Sequence, residues 1–210
     1  MIAILDYKAG NLTSVRRALD YLGFPCRITN SREEIRKADK VVFPGVGAAG
    51  KSMESLKELG LDKLLGELFA EKVPILGICV GLQVLFDLSE ENQTRCLGLL
   101  SGQVVRFPQK LCSGKGDFLK IPHMGWNEVV FSKDHPVFRD IPAGSEFYFV
   151  HSYYPQPERE DISIGTTEYG ITFTSAVAFQ NLVAVQFHPE KSGNPGLRLL
   201  DNFCRWSGVS

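Results

Sequence analysis

The stretch PILGICVGLQVLF, Pro74 to Phe86, sets a cysteine between glycines at 77 and 81 inside an otherwise apolar run. PILGI reads as a buried strand and GLQVLFDL as a helix, so Cys79 falls on the join between them. A thiol that only fills space needs no glycine two residues before it and two after. The spacing is the cysteine form of the nucleophile elbow, G-x-S-x-G, a strained strand-to-helix turn. Its glycines permit close backbone approach, and the central side chain projects from the sheet. A helix N-terminus behind the sulfur favours the thiolate, which is the reactive form. An isolated cysteine is more often a small core hydrophobe. Two glycines at a strand-helix join turn the reading toward a nucleophile.

Outward from the elbow, the first half alternates short apolar runs with helical patterns. IAILD is a strand; from Asn11, an N-cap, residues Leu12, Val15, Leu19 and Leu22 recur at helical spacing until Gly23 stops them. CRIT follows, then Ser31 and Glu34 at capping-box spacing, then the strand KVVFPG. Helices are expected over about Ala49 to Leu59, stopped by Gly60, and over Leu61 to Glu71. The order βαβαβ predicts a mainly parallel central sheet with helices on both faces, of flavodoxin-like type, with ligands beyond the C-terminal ends of the strands. Beyond about Gly102 shorter strands predict an antiparallel or mixed extension: GQVVRF, NEVVF, EFYFV, ISIGTTE, SAVAFQ and LVAVQF. A last helix is expected from about Pro195 to Trp206. No repeat or linker divides the chain, so residues 1–210 read as one α/β domain.

Twenty-three Lys and Arg against 24 Asp and Glu leave a formal charge of -1. That balance gives no general pull toward nucleic acid or an anionic membrane and favours a small molecule or protein partner. Five cysteines at 26, 79, 96, 112 and 204, with no C-x-x-C spacing, suggest neither a disulfide framework nor a zinc site. No leader or membrane span is read, and a reducing cytoplasm fits best. No metal or cofactor is expected.

A thiol nucleophile needs a base, and histidines stand at 123, 135, 151 and 188. In LVAVQFHPEKS, His188 ends a probable core strand and Glu190 lies two residues on. An extended segment points both to one side, and Pro189 fixes one backbone angle, so the carboxylate can orient the imidazole as a third triad member does. Without the cysteine, His-Pro-Glu is more often a loop holding a hydrogen-bonded histidine. An oxyanion also needs donors. VVFPGVGAAG, Val41 to Gly50, ends a strand in a glycine-rich turn, where the N-H of Val46 or Gly47 would act with that of Val80. A phosphate cradle is the rival, but the P-loop lysine and hydroxyl pair is absent. An ordinary glycine turn is the plain alternative.

Together PGVG, GICVGLQ and QFHPEKS, in this order, resemble the class I, or triad, glutamine amidotransferases, and the resemblance spans essentially the whole chain. DYKAGNLTSV, IPHMGWNEV and FYFVHSYYP are most similar to the glutaminase subunits of imidazole glycerol phosphate synthases. Two stretches depart from that pattern: Lys8-Ala9, where DYGMGN is closer to the norm, and Ala49-Gly50, where an aromatic commonly follows. The resemblance implies a triad of Cys79, His188 and Glu190 that hydrolyses glutamine through a thioester. It implies that Gln83, Ser152 and Tyr153 hold glutamine, and that a separate (β/α)8 cyclase subunit, bound as a heterodimer, receives the ammonia for histidine biosynthesis. Asn11, Trp126, Tyr148 and Lys191 would face that cyclase. Each has a plain alternative: an exposed helix residue for Gln83, a strand-end turn for Ser152-Tyr153, and local packing or solvation for the other four. His151 reads as a structural hydrogen-bonding group rather than a second base. The alternatives are an amidotransferase serving another acceptor and a non-catalytic flavodoxin-like redox or binding protein.

Overall fold

The elbow stands at the end of a strand that has partners on both sides. The computed structural model describes residues 1–8, 10–114 and 116–208. Its first half runs β1 (Ile2–Leu5), α1 (Leu12–Tyr21), β2 (Cys26–Thr29), α2 (Arg32–Arg36), β3 (Lys40–Gly45), α3 (Ala49–Glu58), α4 (Leu61–Ala70), β4 (Ile75–Cys79) and α5 (Val80–Gln83). Short strands follow: β5 (Leu88–Ser89), β6 (Thr94–Arg95), β7 (Gly102–Arg106), β8 (His123–Glu128), β9 (Val130–Phe131), β10 (Glu146–His151) and β11 (Tyr153–Pro157). The chain then forms β12 (Ser163–Glu168), β13 (Thr172–Phe179), β14 (Leu182–Val185) and α6 (Gly193–Arg205).

The main sheet has the order β2-β1-β3-β4-β14-β13-β12-β9. Its first five strands are parallel, and β13, β12 and β9 add antiparallel pairs. Every residue of β1, β4 and β14 is buried. Because successive side chains point to opposite faces, complete burial means that both faces are covered. Two smaller sheets complete the extension, an antiparallel ribbon β10-β8 and a four-stranded sheet β11-β7-β5-β6.

The helical spacing from Leu12 holds, with Val15, Ala18 and Leu19 buried on the inner face of α1 and Gly23 in the left-handed region at φ 80. Asn11 does precede α1, but its side chain makes no capping bond to the backbone; its Oδ1 accepts from the Ser14 hydroxyl instead. Only half of the capping box at α2 forms. Ser31 Oγ accepts from Glu34 N at 3.4 Å, while Glu34 turns to Thr29 and Arg27. NEVVF is divided between β8 and β9, and α6 begins at Gly193, two residues ahead of Pro195.

The largest departure is at the elbow, where the helix has four residues, not the eight of GLQVLFDL. The carbonyls of Val84, Leu85 and Phe86 accept from Leu97, from Leu99 and Leu100, and from Gly98. A helix continues only while its carbonyls are free for residues four further on, so this returning loop ends it.

Gly81 pins the short helix beneath β3. A Cβ there would lie 1.9 Å from the Phe43 carbonyl oxygen, and one at Gly77 would lie 2.9 Å from the Ala184 Cβ. Gly81→Ala should therefore lower stability by about 3 kcal/mol or more, or prevent folding. Gly66 inside α4 has nothing within 4 Å of an added Cβ, so Gly66→Ala should stabilise by roughly 0.5–1 kcal/mol. Urea unfolding midpoints of the two variants would move in opposite directions.

Candidate active site

Sheet register assembles the site. Pairing of β3 with β4 sets Gly45 opposite Cys79, and pairing of β14 with β4 sets Val185 opposite Ile78. The PGVG turn therefore leaves the sheet on one side of the elbow, and the chain from Gln186 to Glu190 leaves it on the other. Cys79 has φ 55 and ψ -110, a conformation an L-residue holds only when its surroundings over-determine it. Its side chain is buried in the floor of a cavity of about 290 Å³, whose lining includes Val46, Gly47, Val80, Gln83 and His188. Glu91, Ser152, Tyr153 and His151 line the same cavity.

His188 is buried, and its Nδ1 donates to Glu190 Oε1 at 2.8 Å. The two residues meet through a 3-10 turn over Pro189–Lys191, not through the extended segment that i, i+2 alternation implies; proline at its first position fixes the turn. Burial acts to lower the His188 pKa, but the Cys79 sulfur and the Glu190 carboxylate outweigh it and push the ring up to about 10. Among the described residues Nε2 has no formed hydrogen bond, and the Cys79 sulfur is the group that acts on the ring from outside the Glu190 pair. A protonated imidazole is the counterion that a thiolate needs, and it supplies what the four-residue helix cannot through its dipole. Away from the site, burial pushes the Cys96 thiol up to about 11 and the Cys204 thiol up to about 12.

Gln83 is not an exposed helix residue. It is 4% exposed, and its Nε2 donates to the Tyr153 carbonyl at 3.2 Å and to Gln186 Oε1 at 3.1 Å. Two residues absent from the sequence reading stand at the site. Gln186 directs its Nε2 at the Cys79 sulfur, 3.7 Å away; the signal was its place two residues before His188 on a strand of period two. Glu91 Oε2 accepts from the Ala49 N-H at 2.6 Å and caps α3, whose own N-cap Ala48 has no side chain to do so. Forty-two residues separate them, and no local pattern announces the contact.

His151 donates from Nδ1 to the Tyr153 carbonyl at 2.8 Å and is held neutral by burial, its pKa down at about 3. Trp126 and Tyr148 meet with ring centroids 6.1 Å apart, and the Lys191 ammonium lies 5.7 Å from the Tyr148 ring. Trp126 is 54% exposed. Asn11, just ahead of α1, accepts a hydrogen bond from Ser14 rather than joining this trio. Of the departing pair, Lys8 reaches Glu58 at 3.5 Å, and Ala9 lies outside the described residues.

A family model, glutamine amidotransferase class-I, matches residues 3–206. The chain belongs to the class-I glutamine amidotransferases. Among the relatives of this amidotransferase is the imidazole glycerol phosphate synthase subunit HisH of Maridesulfovibrio salexigens, 53% identical over 97% of this chain and 95% of the relative. The subunit of the same name from Dehalococcoides mccartyi is 50% identical over 97% and 96%. A crystal structure of a glutamine amidotransferase superposes with a TM-score of 0.76 at 18% identity, covering 99% of both chains, and shows the shared fold. The amidotransferase therefore carries the HisH sequence pattern along nearly its whole length.

The raised His188 pKa has a direction that can be tested. The unfolded chain releases this proton near pH 6.5 and the folded chain near 10. The stability it contributes is thus fully present below about pH 6.5 and is lost as pH rises through about 10. In Cys79→Ala the sulfur is gone while burial remains, so the His188 pKa measured by NMR should fall.

Proposed function

We propose that Cys79, His188 and Glu190 form the triad of this amidotransferase, which hydrolyses glutamine to glutamate and ammonia as the glutaminase subunit of imidazole glycerol phosphate synthase. The reading rests on one observation above others: a buried cysteine on a strained elbow beside a buried histidine that a carboxylate orients. The thiolate attacks the carboxamide carbon, and charge develops on the carboxamide oxygen. Backbone N-H groups of Val46 or Gly47, with that of Val80, stabilise it. His188 gives its proton to the departing ammonia, which leaves a thioester on Cys79. Water activated by the same imidazole then releases glutamate and restores the thiolate.

Glutamine lies in the cavity along the Ser152-Tyr153 backbone, whose Tyr153 carbonyl Gln83 holds in place. Glu91 supplies the negative charge that the α-ammonium group of an amino acid requires. Residues 1–210 act as one amidotransferase domain in the cytoplasm. No helix among the described residues is long and apolar enough to cross a membrane. Ammonia passes to a (β/α)8 cyclase subunit bound as a heterodimer, with Asn11, Trp126, Tyr148 and Lys191 facing it. The HisH relatives favour this acceptor over that of another synthase.

Cys79→Ala should abolish glutamine hydrolysis while free ammonium at mildly alkaline pH still sustains the synthase complex; surviving hydrolysis would end this mechanism. His188→Ala should be nearly as damaging and Glu190→Gln milder, and Cys79→Ala/His188→Ala should be no worse than Cys79→Ala alone, because a triad acts as a unit.

Control should act through the PGVG turn. Gly47 has φ +91, and a peptide flanked by glycine can switch between two orientations, one of which aims an N-H at the oxyanion. Losing one such donor costs on the order of 100- to 1,000-fold in rate. The isolated chain should therefore turn over glutamine slowly and the cyclase complex quickly, by population shift. Gly47→Val should flatten the difference. Glutaminase turnover with and without cyclase checks this, and an isolated chain already at full rate would rule the coupling out.

A further inference from the structure

Five side chains, those of Asn127, His123, His151, Gln83 and Gln186, link the ribbon β10-β8 to Cys79 in one hydrogen-bonded line through the Tyr153 carbonyl, and its protons can be placed without choice. The Tyr153 carbonyl only accepts, so His151 Nδ1, at 2.8 Å, must carry a hydrogen. A neutral ring then leaves Nε2 bare, and His123 Nδ1, at 3.0 Å, must donate to it. His123 Nε2 is bare in turn, which matches its partner at 3.2 Å, the Asn127 amide nitrogen. That nitrogen also donates to the Glu168 carbonyl at 2.9 Å, while Asn127 Oδ1 accepts from Glu128 N at 2.8 Å, so the amide orientation is fixed independently. Both ends of the line thus demand the same tautomer in both rings. On the other side, the Tyr153 carbonyl takes a second hydrogen from Gln83 Nε2, whose remaining hydrogen goes to Gln186 Oε1. Gln186, fully buried, must then turn its Nε2 toward the Cys79 sulfur at 3.7 Å.

We infer that this chain, from Asn127 on β8 to Cys79, positions the nucleophile and the glutamine-binding segment. Gln186 is the donor to the reacting sulfur, and His123 and His151 are positioning residues that act through the Tyr153 carbonyl. Neither histidine serves as a base: each ring is surrounded by Phe107, Phe149 and Phe173, and protonation would set two donors facing one another. A sulfur supplied with a hydrogen-bond donor is held as the thiolate in one direction. The inference rests on Cys79 as nucleophile and Ser152-Tyr153 as the glutamine site.

The test uses the complex with the cyclase subunit. Gln186→Met keeps the shape and removes the donor; His123→Phe keeps an aromatic ring and removes the hydrogen bond to His151. Near-UV circular dichroism checks that each variant is folded. Gln186→Met should lower glutaminase kcat about tenfold with the glutamine KM within about twofold, and should slow iodoacetamide alkylation of Cys79 about tenfold, as loss of a charge-assisted hydrogen bond implies. His123→Phe should instead raise the glutamine KM about tenfold and leave the alkylation rate unchanged. In the wild-type chain, nitrogen NMR should show both rings protonated at Nδ1 alone from pH 6 to 8, a readout that requires no variant to fold. Rings protonated at Nε2, or folded variants that change kcat and KM alike, would overturn the chain. Hydrolysis surviving in Cys79→Ala would overturn the underlying reading instead.

Discussion

The close approach of Gly81 to the Phe43 carbonyl is the constraint on which the site depends. With any side chain at 81, α5 could not tuck beneath β3, and β4 could not turn at Cys79 while holding its register against β3. That register is what sets Gly45 beside Cys79. The same crowding recurs at Gly45, where a Cβ would lie 2.2 Å from the Tyr7 hydroxyl. Backbone meets backbone at Gly81 and Phe43, the Tyr7 side chain fills the space beside Gly45, and the strained φ of Cys79 is maintained by packing on both flanks. The elbow and the PGVG turn are one packing arrangement viewed from two strands.

A second constraint is electrostatic. Burying His188 and Glu190 together removes both from water, a cost that good geometry and mutual attraction must offset. Here the ring has the carboxylate at one nitrogen and the sulfur near the other. Among the described residues Glu190 meets His188 through Oε1, so removing the imidazole would leave a buried carboxylate without its counterion. The His188 turn is also tied to the ribbon. His188 N donates to the Tyr148 carbonyl at 2.9 Å, and the Ser192 hydroxyl accepts from Tyr148 N while donating to the His188 carbonyl. Tyr148, Lys191 and His188 thus share one rigid frame.

Much of this was legible in the sequence because it is written in short-range patterns. The parallel half could be read from apolar runs punctuated by Gly23 and Gly60, and the elbow from two glycines around Cys79. What escaped depends on contacts between distant segments. The length of α5 is set by residues 97–100 capturing the carbonyls of Val84, Leu85 and Phe86 just beyond it, which no window around Gly81 contains. Glu91 acts as the cap of a helix that begins 42 residues earlier. Gln186 sat in full view within QFHPE, yet its partner is reached only through the pairing of β14 with β4. The 3-10 turn at Pro189 achieves by a different backbone path the same meeting of His188 and Glu190 that alternation implied.

The two tryptophans lie in opposite surroundings. Trp126 stands on the ribbon at 54% exposure, while Trp206, after α6, is 4% exposed. Indole fluorescence moves to the blue when its ring leaves water and to the red when it enters it. Covering the ribbon and unfolding the molecule therefore drive the emission in opposite directions, one through Trp126 and the other through Trp206. The molecule carries its own optical means of telling association from denaturation, with no label attached.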